Sequence, residues 1–221
     1  MHTLIGLALS ALVGCGVARD ESEPASPAPT VEERAETAKS KAEALEEKAS
    51  SESDGARPSP GELITRAEAQ AVDPKGKESL DDAITCLARS VYWEARGESQ
   101  AAMEAVASVV MNRLGHSGFP DTVCGVVKGG RETGTCQFSW WCDGRPDTAQ
   151  ETEGYELAKE VARKALNRQL ADRTQGATYF HHKRVRPAWS KIFTRTTTVG
   201  GHRFYKPNEP EKPRSEAATS K

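Results

Sequence analysis

The chain has 221 residues, with 30 Lys and Arg against 32 Asp and Glu and a formal net charge of −2. The near-neutral total hides a division, because residues 16–79 carry 9 basic and 15 acidic side chains while residues 80–206 carry 18 and 14. A region of net charge +4 with no dense Lys/Arg stripe argues against a nucleic-acid binder and suits some other anionic polymer. All four Trp, all four Tyr and all five Phe fall between Tyr92 and Tyr205. One packed domain over 80–206 is therefore expected, with a disordered tail at 207–221.

At the N-terminus, Leu4 to Val13 is an apolar run of signal-peptide length, although no Lys or Arg precedes it. It leads into Leu12-Val13-Gly14-Cys15, which resembles the lipobox of bacterial lipoproteins. That resemblance implies a signal peptide over 1–15, lipidation at Cys15 and an exported, membrane-anchored protein in the periplasm or cell envelope. Residues 16–79 read as a low-complexity tether rich in Glu, Ala, Ser, Pro and Lys. Within it, residues 31–50 combine helix formers with opposite charges three and four apart, so a solvated helix is expected there.

From Leu80 the apolar period becomes helical, through Ile84, Leu87, Ala88, Val91 and Ala95, until Gly97 breaks it. A second helix is predicted from the N-cap residue Ser99 to about Leu114, packed against the first as a hairpin. A loop-rich span follows, then a third helix over about Glu151–Leu170. Thr194 to Val199, Gly200-Gly201 and His202 to Tyr205 predict a β-hairpin. The class is α+β, mainly helical.

Once Cys15 is set aside, Cys86, Cys124, Cys136 and Cys142 form an even set, as expected of two disulfides in an exported protein. Spacing leaves the three pairings open, although a local Cys136–Cys142 clasp is plausible from its short separation. No pair has the separation that structural zinc sites favour, and the histidines show no ligand-spaced helix. No metal and no cofactor are expected.

Glu94 lies one turn beyond Val91, at the border of the first helix's apolar stripe and beside Trp93. Partial desolvation there favours the protonated form, as a general acid requires. Glu98 follows four residues later, but Gly97 separates it from the helix. A place at the positive N-terminus of the second helix therefore suits it better than a role as second catalytic carboxylate.

Several runs occur together in order: Glu94-Ala95-Arg96-Gly97-Glu98, Val109-Val110-Met111-Asn112-Arg113, residues 119–127, Cys136-Gln137-Phe138-Ser139-Trp140, Gly176 to His181, and Val199 to Tyr205. From Cys86 to Lys206 they resemble the SleB-type cell wall hydrolases, named for a spore-cortex-lytic enzyme. The resemblance implies a lysozyme-like fold, peptidoglycan as partner, Glu94 as catalytic residue, and cleavage of the glycan strand by lytic transglycosylation. Gln137, Phe138, Ser139, Trp140, Tyr179 and His181 are the substrate-binding candidates, being aromatic or hydrogen-bonding residues in loops. The spore enzyme's separate peptidoglycan-binding module is not read in this sequence. An anchored monomer engaged in general wall remodelling is expected. Rival readings are a hydrolytic muramidase with Glu98 or Asp143 as second carboxylate, a peptidase with Cys136 or Cys142 as nucleophile and His181 as base, and a non-catalytic glycan-binding lipoprotein.

Overall fold

The computed structural model describes residues 27–51, 57–131 and 136–208. The expected lipidation site at Cys15 and the tail beyond Asn208 lie outside them. The helices are α1 (Val31–Ser51), α2 (Arg66–Ala71), α3 (Ala83–Ala95), α4 (Gln100–Arg113), α5 (Val123–Lys128) and α6 (Thr152–Leu166). Strands β1 (Tyr179–His182), β2 (Thr194–Val199) and β3 (His202–Lys206) form an antiparallel sheet in the order β1-β3-β2. The class is the expected one, mainly helical α+β. No helix among the described residues is long and apolar enough to cross a membrane.

Local chemistry sets the helix limits. Asp82 caps α3 by accepting from the Thr85 amide at 2.8 Å, and Ser99 caps α4 by accepting from the Ala102 amide. Between them, Gly97 adopts φ +77°, a left-handed turn that a side chain would oppose. The predicted hairpin therefore forms, and α3 becomes the centre of the domain. Ile84, Leu87, Ala88, Val91 and Ala95 of α3 are fully buried among α1, α2, α4, α5 and α6.

A second, smaller core joins the sheet to α4 through Ala105 and Val109 against Ala177 and Phe204. The expected two-stranded hairpin is here completed by β1, which pairs with β3 in the register Tyr179↔Tyr205 and His182↔His202. The Tyr-Phe-His-His run is too short and too uniformly aromatic to announce itself by alternation. The span read as loop also gains α5 and a 3-10 turn at Ser139–Trp141.

The expected tether requires correction. Residues 31–51 form a helix that is not solvated all round, because Ala38, Ala42 and Leu45 are buried against the domain. Thr30 and Glu33 close its N-terminus reciprocally, amide to side chain in both directions, at 2.7 and 3.1 Å. Further along, the Asn167 side-chain amide clasps the Ile64 backbone through two bonds of 2.9 Å. Asp73 is fully buried, and its carboxylate accepts from the Arg89 guanidinium at 2.7 and 2.9 Å, from Tyr155 at 2.6 Å and from two backbone amides. A buried ion pair is tolerated when its remaining hydrogen-bonding capacity is filled in this way. The packed unit thus begins at α1 rather than at Leu80.

Candidate active site

Glu94 occupies the last turn of α3, on the stripe of Leu87 and Val91. The side chain keeps some surface to solvent but is enclosed by protein on most sides. Burial is the main cause that pushes its carboxyl up to about 7, and the charge of Arg113 opposes the rise. Among the described residues, no hydrogen bond holds the carboxylate form. A carboxyl in that state carries a proton to give away near neutral pH.

Arg113 ends α4, where the helix terminus favours a cation. Its side chain is only 3% exposed, and its Nε donates to the Thr178 carbonyl at 2.8 Å. The guanidinium carbon lies over the rings of Phe119, Phe138 and Tyr179, at 5.1, 5.4 and 5.8 Å from their centroids. Burial draws its pKa down to about 10, while Tyr179 and Glu94 act to raise it. Arg113 was legible only as part of a motif run. The signal that could have singled it out is its place on the apolar stripe of Val106, Val109 and Val110, where a cation is out of keeping. Phe119 is likewise visible only within a motif run.

Glu98 does not cap α4, since Ser99 does. Its Oε2 instead accepts from the Gly201 amide at 3.2 Å, drawing the β2–β3 turn onto the α3–α4 turn. The same carboxylate acts on His202, whose pKa is lowered chiefly by burial. α4 is thus flanked by two attachments to the sheet, Glu98 at its start and Arg113 at its end.

The substrate-binding candidates separate into two groups. Gln137 and Ser139 are exposed and Tyr179 is partly so. Phe138 and Trp140 are buried, at 1% and 6% exposure, so neither offers a ring face to a sugar. His181 is also buried, bonded to the Tyr205 hydroxyl at 3.1 Å and packed against Trp189, which corrects its assignment to binding. The four cysteines pair as Cys86–Cys124 and Cys136–Cys142. With both sulfurs of the local clasp bonded and His181 turned into the sheet, the cysteine-peptidase reading has neither nucleophile nor base. Among the described residues, no group of three or more His, Cys, Asp or Glu is placed to hold a metal.

The sequence profile of the Cell Wall Hydrolase family matches residues 97–205. The spore cortex-lytic enzyme of Halalkalibacterium halodurans is 34% identical over 125 residues, which cover 56% of this chain and 34% of that enzyme. The chain belongs to the SleB-type cell wall hydrolases. Other members similar to it include the spore cortex-lytic enzyme of Bacillus subtilis, 42% identical over 62 residues, which are 28% of this chain and 20% of that one. Among solved structures, the catalytic domain of the Bacillus cereus SleB protein is 30% identical, with a TM-score of 0.46, over 59% of this chain and 93% of that one. The catalytic domain of the germination-specific lytic transglycosylase SleB from Bacillus anthracis is also 30% identical, with a TM-score of 0.47, over 59% and 98%. The chain therefore spans about a third or less of the curated family members it matches. Arg113, Phe119, Tyr179, Glu98 and Gly201 all lie inside the family match, and Glu94 stands three residues before its start.

Proposed function

We propose that this family member cleaves the glycan strands of peptidoglycan between N-acetylmuramic acid and N-acetylglucosamine, as a lytic transglycosylase with Glu94 as its single catalytic carboxyl. The observation that carries the reading is a partly open carboxyl at the apolar stripe of α3, held near neutral pKa by burial and acted on by the charge of the fixed Arg113. Glu94 gives its proton to the glycosidic oxygen as the C1–O bond breaks, and an oxocarbenium-like centre forms at C1. The resulting carboxylate takes the proton of the same sugar's 6-hydroxyl while O6 bonds to C1, closing a 1,6-anhydro ring and restoring the acid. No water is consumed.

A hydrolytic outcome would call for a second carboxylate, at about 5–5.5 Å for retention or about 6.5–9.5 Å for inversion. Glu98 is committed to Gly201, which favours the one-carboxyl route. Placement in the envelope, with lipid on Cys15, belongs to the same proposal. Mass spectrometry of muropeptides released by wild-type protein and by Glu94→Gln tests it. Anhydro-muramyl products from the wild type and none from the variant are expected. Reducing muramic-acid ends alone would replace the transglycosylase by a hydrolase, and undiminished lysis by Glu94→Gln would remove Glu94 from the mechanism.

A further inference from the structure

Arg113 carries a defect that its role in packing does not account for. Its Nη1 is buried and, among the described residues, has no hydrogen-bond partner. Leaving a buried donor unpaired costs about 1–3 kcal/mol, and more when the group is charged. An unpaired buried group in a native protein calls for an explanation, a catalytic role among them. The side chain cannot readily turn elsewhere, because Nε is fixed on the Thr178 carbonyl and three aromatic rings surround the guanidinium. Its charge acts on Glu94 and that of Glu94 acts on it, yet no hydrogen bond joins them.

We propose that the unpaired Nη1–H of Arg113 receives the Glu94 carboxylate once the proton has passed to the glycosidic oxygen, so that the two side chains bond only while the reaction is in progress. The inference rests on Glu94 acting as the acid. While Glu94 is protonated, its carboxyl is a weak acceptor, and the donor waits. When the proton leaves, the carboxylate accepts a charge-assisted hydrogen bond in a poorly solvated site. An interaction made in the transition state and missing from the ground state lowers the barrier, whereas one present in both would not. Because the cation is held in place by the cage, little reorganisation is needed at that moment. The other titratable group that bears on the pair is Tyr179 of β1, acting on Arg113.

The test uses the full-length protein on purified sacculi, following rate against pH, sacculus binding and thermal unfolding for Arg113→Met and Arg113→Lys. Arg113→Met should bind sacculi as the wild type does but turn over about 100-fold more slowly or worse, the usual loss when one such donor is removed. Its alkaline limb should move to higher pH, since the charge that holds Glu94 down is gone. Arg113→Lys should regain at least about tenfold of that rate and return the limb toward the wild-type position, because it keeps the charge. A folded Arg113→Met with the wild-type limb, and a rate reduced only in proportion to its folded fraction, would overturn the proposal. Should Arg113→Met not fold, Arg113→Lys alone is read against the wild type. A rate loss beyond the loss of folded fraction, with the limb near its wild-type position, supports the bond, because the charge stays while the guanidinium geometry is lost, and an unchanged rate refutes it. Full activity in Glu94→Gln would instead sink the catalytic reading beneath it, whatever the Arg113 variants do.

Discussion

Two glutamates four residues apart, one in the last turn of α3 and one in the turn leading to α4, meet opposite fates. Glu98 is satisfied by the Gly201 amide and fastens the sheet to the helices. Glu94 receives no donor among the described residues, is enclosed by protein, and has its carboxyl pushed up to about 7. On the proposed function, reactivity comes from what is withheld from a carboxylate, and structural value from what is supplied to it. Replacing each in turn is the direct way to break the comparison. Glu94→Gln keeps shape and removes the proton, and its lytic rate should fall by about 10²- to 10⁴-fold, the usual worth of a general acid. Assays on sacculi across pH should also show wild-type activity falling by about tenfold per unit above pH 7, as the acid form is lost.

The Glu98 side of the comparison should appear in stability before it appears in chemistry. A Cβ on Gly201 would stand 2.8 Å from His182 Nε2 and closer still to the Glu98 carboxylate. Gly201→Ala should therefore cost about 1–3 kcal/mol, the usual penalty for overfilling a packed site, read by urea unfolding. Glu98→Ala removes the acceptor but leaves room for relaxation, and about 1 kcal/mol is expected by the same measurement. Its lytic rate should fall far less than that of Glu94→Gln. A Glu98→Ala protein as inactive as Glu94→Gln but fully stable would return Glu98 to the list of catalytic carboxylates.

Glu94 was legible in the sequence because a carboxylate on an apolar stripe is a local anomaly that a helical period exposes. Arg113 is equally anomalous, an arginine on the stripe of α4, but as the end of a motif run it is hidden among its neighbours. Three of the six binding candidates are buried, and their burial is illegible for a different reason. Phe138, Trp140 and His181 were read as loop residues, and a loop gives no period from which to tell an inward ring from an outward one. α1 escaped because its buried face is made of Ala38, Ala42 and one Leu45, and alanine serves a solvated helix and a close-packed one alike. Burying Leu45 alone still contributes about 1.5–3 kcal/mol. The disulfide pairing needed the approach of α3 and α5, which no spacing rule supplies.

The smallest effect expected is thermodynamic, and it sharpens what enclosure does to Glu94. A carboxyl raised from 4.5 to about 7 on folding binds more protons in the folded than in the unfolded state across that interval. Its contribution therefore favours the folded state most below pH 4.5 and is lost as pH rises toward 7. At about 1.36 kcal/mol per unit the whole shift would correspond to roughly 3 kcal/mol, and the solvent reaching the side chain reduces this to the order of 1 kcal/mol. His202 works in the other direction, because its lowered pKa makes stability rise with pH up to its unfolded value of 6.5. Comparing wild type with Glu94→Gln removes that contribution, since His202 is present in both. Urea unfolding at pH 4 and pH 8 should therefore show the variant gaining on the wild type at the higher pH. A difference independent of pH would mean that the surroundings of Glu94 do not disfavour its charge, and the contrast with Glu98 would have to rest on geometry alone.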